Sequence, residues 1–111
     1  MADNVKFTVT DVFGHTVVGS FSAWDHLQRR HPEMAGREND VRSAIERPIS
    51  VHQGQTSADR LFRGERLQSG FWKGNFPVVV VTYRSGAGLG FLKTAYLSTL
   101  EPVGVLLWRK K

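Results

Sequence analysis

The stretch FPVVVVTYR at 76–84, followed by SGAG at 85–88 and GFLKTAYL at 90–97, decides how this chain must fold. Four successive valines leave no polar side to turn toward water. They predict a strand, Phe76 to Arg84, buried on both faces at the centre of a sheet. SGAG has the residues of a tight turn, so Gly90 to Leu97 reads as the strand paired with it. The remaining segments must pack on or beside this hairpin.

Working outward, Val103 to Trp108 after Pro102 reads as a final edge strand, with Arg109 to Lys111 a mobile basic tail. Upstream, QSGFWKGN is a loop that displays Phe71 and Trp72. Arg60 to Leu67 reads as a strand, GQTSAD as a turn and Ile49 to Gln53 as a short strand. Glu38 to Arg47 is a helix with Val41, Ala44 and Ile45 at helical spacing, stopped by Pro48. Ala23 to Arg30 or His31 is another, with Ser22 as N-cap, Asp25 in its first turn and Pro32 beyond its end. Val5 to Asp11 alternates as a half-buried strand, Phe13-Gly14-His15 can turn, and His15 to Phe21 returns. The expected architecture is α+β in one domain over residues 1–111. An N-terminal β-hairpin (1–21) leads to two helices (22–47) packed on a mainly antiparallel sheet of four or more strands. The sheet is an antiparallel meander (49–108) followed by the tail (109–111).

The absence of cysteine removes disulfides, thiolate nucleophiles and cysteine metal sites, and fits a cytoplasmic protein. The start, MADNVKFTVTD, lacks the basic head and apolar run of a signal peptide. No apolar stretch approaches the roughly 20 residues of a membrane-spanning helix, so no membrane partner is expected. Net charge is +5 and unevenly placed: residues 1–55 carry six Lys and Arg against seven Asp and Glu, residues 56–111 nine against three. A basic second half suits a phosphate-bearing partner, although it equally suits a solvated surface.

The densest polar chemistry lies in WDHLQRRHPEM at 24–34. Trp24, Leu27 and His31 share one side of the helix, and His26 and Arg30 another. A histidine pair can serve as base and acid near neutral pH; the plainer readings are a surface residue for His26 and a helix-end residue for His31. Their five-residue spacing does not place two imidazoles on one helical face, and no HExxH supports a metal, so no metal or cofactor is expected. Arg60, Arg63 and Arg66 recur every three residues; extended, they would put Arg60 and Arg66 on one face and Arg63 on the other. Their guanidinium forks suit phosphate oxygens, as edge-strand arginines also suit solvent. On the hairpin, Lys93 and Thr94 should point oppositely, with Thr94 and Tyr96 on one face. Arg84, Lys93, Arg66, Trp72 and Lys73 are candidate nucleic-acid contacts. SGAGLG is no phosphate loop, because no helix follows it, and no GxSxG elbow supports a hydrolase triad.

Taken in order, W-x-H-x-x-x-x-H-P-E (Trp24, His26, His31, Pro32, Glu33), I-x-x-P (Ile45, Pro48), Arg60 and Arg63, the valine strand, and T-A-Y (Thr94, Ala95, Tyr96) resemble the phage-associated Barnase–EndoU–colicin–RelE-like nuclease group. The resemblance spans roughly Val17 to Leu97. It implies a metal-independent endoribonuclease of phage or toxin type. The implied site is His26 and His31 as acid and base, Arg60 or Arg63 for the developing charge, and Thr94 or Tyr96 for positioning. RNA is then the expected partner, with an inhibitor or antitoxin protein as a second. Two other classes compete: a non-catalytic nucleic-acid-binding module using Phe71 and Trp72, and a protein-interaction domain docking through FWKGN and VGVLLW. Nothing in the sequence fixes the oligomeric state.

Overall fold

A computed structural model describes residues 4–111, and residues 1–3 of the expected hairpin lie outside them. The chain runs β1 (Val5–Thr10), β2 (Thr16–Ser20), α1 (Phe21–Arg30), a 3₁₀ turn (Pro32–Met34), α2 (Glu38–Glu46), β3 (Ser50–Gln53), β4 (Asp59–Arg63), β5 (Phe76–Arg84), β6 (Leu89–Ser98) and β7 (Leu106–Arg109). The fold is α+β: two helices pack on one seven-stranded mixed sheet of order β1-β2-β6-β5-β4-β3-β7.

The valine strand governs both faces. Val79 pairs with Phe62 and Ala95, Phe62 with Val51, and Val51 with Trp108, so one row crosses five strands. Side chains opposite one another across a ladder share a face. This row therefore lies under the helices, where Trp24, Leu27, Met34, Val41, Ala44 and Ile45 complete the core. The alternate residues, Val78 and Val80, face the other way. Their rows contain Ser50, Arg63 and Tyr96, and His52, Leu61 and Thr94. Helices cover one face; the open face carries the polar chemistry.

Two departures from a simple meander shape that open face. β2 pairs with β6 in parallel, and only over Thr16–Val18 against Leu89–Phe91. The rest of β6 has no strand on that side; α1 and the 3₁₀ turn pack against β6 instead. β7 does not follow β6 in the sheet but crosses to the far edge and pairs antiparallel with β3. The linker between them, residues 99–105, thereby passes over the open face.

Several expected boundaries shift for identifiable reasons. α1 begins at Phe21 directly after β2, and Ser20, not Ser22, is its N-cap, accepting from Ala23 N at 3.1 Å. The last strand residue doubles as the cap, which leaves no acidic residue in the first turn and removes the role expected of Asp25. β4 stops at Arg63 rather than Leu67 because Pro77 has no N–H to extend the ladder; Gly64 N instead donates to Pro77 O at 2.8 Å. A side chain at Gly64 would meet Pro77 Cγ at 2.8 Å and Ala44 Cβ at 3.0 Å, so this exit also needs a glycine. The final strand starts at Leu106, not Val103, because Gly104 adopts a φ of +144° hard against Gln53 O. The basic tail is held rather than mobile: Arg109 lies in β7 and Lys110 N donates to Ile49 O at 2.9 Å. No described helix is long and apolar enough to cross a membrane.

Phe62 is fully buried at the junction of β4, β5 and the helices. Phe62→Ala should destabilise the fold by about 3–5 kcal/mol through lost burial and an unfilled cavity, measured by chemical denaturation; a loss below about 1 kcal/mol would contradict this packing.

Candidate active site on the open face of the sheet

Strand alternation sets the site. In Ser50-Val51-His52 the valine enters the core and its two polar neighbours face outward under the 99–105 linker. His52 is buried, with Nε2 3.1 Å from Ser50 Oγ and 3.4 Å from Glu101 Oε2. Its Nδ1 lies 3.5 Å from Gly104 O, at the limit of a hydrogen bond. Arg63, one strand over, has a side chain only 9% exposed. Its guanidinium stacks on the Phe76 ring at 4.0 Å, and its Nε lies 3.4 Å from Glu101 Oε1. That approach is not a hydrogen bond, and Arg63 Nε is buried without a partner. Burial pulls the Arg63 pKa down and the Glu101 charge pushes back, yet a guanidinium stays charged at any physiological pH. Arg109 adds a second guanidinium, Nη2 4.0 Å from Glu101 Oε2.

Beside this cluster is a cavity of about 390 Å³. Leu61 and Val80 line it from the sheet, Asp59, Lys93, Thr94 and Tyr96 surround them, and Pro102 and Val103 close it from the linker. Lys93 reaches it through a register shift between Val80 and Val81. Thr94 pairs with Val80 and Leu92 with Val81, leaving Lys93 as the extra residue of a bulge. The expectation that Lys93 and Thr94 diverge therefore fails: both line the cavity, and Lys93 Nζ meets Asp59 Oδ2 at 2.9 Å. Burial pushes the Asp59 pKa up, but bonds from Lys93 and Thr82 and the Lys93 charge outweigh it, so the carboxyl titrates below the usual aspartate range. Burial also raises the Tyr96 pKa, so its phenol keeps its proton.

His31 arrives from the other side. It ends α1 at the part of β6 that lacks a neighbouring strand, and its ring lies 5.8 Å from that of Tyr96. Its Nδ1 is 3.4 Å from Glu33 Oε2; Nε2 has no partner among the described residues. Arg63 and Tyr96 flank Val78 in one row, two strand spacings or about 10 Å apart.

The other sequence candidates lie elsewhere. His26 is exposed on α1, away from the buried Trp24 and Leu27. Arg60 pairs with Val81 on the helix-side face. Its guanidinium sits between the rings of Phe13 and Tyr83, at 4.6 and 4.9 Å. Tyr83 there donates to the buried Asp11 carboxylate at 2.6 Å. Arg60 is thus separated from Arg63 by the sheet. Arg66 lies past the end of β4, so strand alternation does not reach it. It stacks at 5.1 Å on the same Phe76 ring as Arg63 and donates from Nη1 to Gly74 O at 2.7 Å. Arg84 is exposed near Phe91. Trp72 packs on Phe71 and Lys73 is exposed in the 64–75 loop; neither lines the cavity. Ser50, His52 and Glu101 were not among the sequence candidates for catalysis. Their available signals were the polar-apolar-polar pattern of 50–52 and the isolation of Glu101, the one acid after Glu65 in a basic half.

A larger hollow of about 550 Å³ lies beside α2. It is the less suitable anion site, because Asp40, Glu46 and Glu65 offset Arg47, Arg66 and Lys110 there. Among the described residues no three His, Cys, Asp or Glu side chains converge as a metal site. Comparison with protein-family models, curated proteins and solved structures returns no significant match.

The Asp59–Lys93 pair gives a signed pH dependence. A carboxyl titrating lower in the folded than the unfolded state adds stability above its unfolded pKa, and loses it as pH falls through the folded one. In Lys93→Met the Asp59 carboxyl should titrate at higher pH by NMR, and the gain in unfolding free energy from acid to neutral pH should shrink. An unchanged Asp59 titration would contradict the pairing.

Proposed function

We propose that the open face binds RNA and cleaves it by attack of a 2′-hydroxyl on the adjacent phosphodiester, with a histidine as the base. One observation carries this reading: Arg63, buried with an unpaired Nε–H, shares the open face with His52, and both approach the same Glu101 carboxylate at 3.4 Å. In-line cleavage needs a base for the 2′-hydroxyl proton, a cation for the pentacoordinate phosphorane and an acid for the departing 5′-oxygen. His52 takes the proton; the 2′-oxygen bonds to phosphorus; the phosphorus–O5′ bond breaks; a water at the open face protonates O5′, His31 lying beyond Tyr96 and too far from Arg63 to do so. The products are a 2′,3′-cyclic phosphate and a free 5′-hydroxyl. Arg63 holds the phosphate over Val78. Tyr96, a neutral phenol, and Thr94 orient the nucleotide, with Tyr96 offering a ring for stacking. His26 and Arg60, separated from this face, have no part in the step.

The nucleic-acid-binding alternative has its own support. Phe71 is 91% exposed, next to Trp72 and Lys73, and exposed aromatics beside cations stack on bases without chemistry. That surface extends the face through Arg66.

Labelled RNA incubated with purified protein in EDTA separates the two. Cleavage to cyclic-phosphate ends is expected. His52→Ala and Arg63→Ala should each slow it by about 10²–10⁴-fold, and His26→Ala by less than about twofold. Salt-dependent binding without cleavage would select the binding module and overturn the enzyme.

A further inference from the structure

We propose that Glu101 is an internal occupant of an oxyanion site, and that the 99–105 linker is a strap which a phosphate group displaces. The inference deepens the reading above and rests on it for the identity of the incoming group, a phosphodiester. The anion site itself stands on separate observations.

Three positive or protonatable groups surround one carboxylate, and none of them makes a short hydrogen bond to it. Arg63 Nε and His52 Nε2 are each 3.4 Å from a Glu101 oxygen, and Arg109 Nη2 is 4.0 Å away. N–H···O hydrogen bonds span about 2.7–3.2 Å. Glu101 neutralises the cluster without satisfying it, and leaves the buried Arg63 Nε unpaired. A buried N–H without an acceptor is costly, so a better-fitting anion has a free-energy advantage at this position. A phosphate offers tetrahedral oxygens in place of a planar pair and can meet Arg63, His52 and Ser50 together.

The strap is built to yield. The Glu101 side chain is 46% exposed, and Leu100 and Val103 are 77% and 94% exposed, so lifting the segment uncovers little apolar surface of its own. Its ends are held independently of Glu101. Ser98 Oγ bonds Leu100 at one end, and Gln53 N donates to Val105 O at 2.8 Å at the other. The middle can therefore swing while β6 and β7 stay in place. The same strap covers His52, so entry of phosphate onto Arg63 would also open the imidazole to a 2′-hydroxyl. An empty site would stay closed by its own carboxylate.

Calorimetric titration with inorganic phosphate tests this. Glu101→Ala should bind phosphate at least about tenfold more tightly than the parent protein, since removing an internal competitor recovers its share of the binding energy. Arg63→Met in the same background should abolish the gain. If Glu101→Ala does not fold, Glu101→Gln keeps the shape without the charge and should show the same direction. Unchanged affinity in the folded variant, or a gain that survives Arg63→Met, would overturn the proposal. Inorganic phosphate has no 2′-hydroxyl, so the measurement is blind to cleavage. Tighter binding with inert RNA keeps the anion site and removes the ribonuclease; cleavage without tighter binding does the reverse.

Discussion

A central strand with no polar face must be covered on both sides, and this constraint organises the molecule. Val79 and Val81 are covered by α1 and α2, which makes an ordinary helix-on-sheet core. Val78 and Val80 point to the face without helices and still have to leave water; Val78 is almost wholly buried. What surrounds them is a ring of polar side chains from β3, β4 and β6 and the linker to β7. Apolar floor and polar rim give Arg63 a surrounding in which a guanidinium is stripped of water yet incompletely paired. Such a group is expensive for stability alone and useful for holding an anion.

Most of the architecture was legible because local signals agreed. The valine run, the SGAG turn, the proline after α2 and the spacing of Val41, Ala44 and Ile45 each specify an element, and β5 matches its expected bounds at both ends. Long-range facts were not legible. Nothing in residues 16–18 announces a parallel partner in β6, and nothing in 106–109 announces a crossing to β3, because strand pairing depends on the packing of the whole chain. These two pairings shape the open face: one frees the edge where His31 meets Tyr96, the other draws Glu101 over Arg63 and His52.

The site was legible in part for the same reason. Thr94 and Tyr96 share a face, as strand alternation indicated, and the structure adds Arg63 to that face and brings His31 to the edge beside Tyr96. Arg60 lies on the helix-covered face; alternation alone separated it from Arg63 without saying which face was covered. His26 points outward from α1, opposite the buried Trp24 and Leu27. Lys93 was misplaced by a bulge that its local sequence does not mark. His52 and Glu101 lie 49 residues apart in sequence and meet only through the strap, so no local pattern could join them.

On the proposed reading, Arg63 receives a nucleotide phosphate on the open face. The most direct measurement is the NMR resonance of its Nε–Hε pair during titration with a dinucleotide lacking the 2′-hydroxyl, which cannot be cleaved. A downfield shift of that proton is expected as the phosphate accepts its bond, with further shifts at His52, Thr94 and Tyr96. An unmoved Arg63 signal, with shifts confined to the helices or the 64–75 loop, would contradict it.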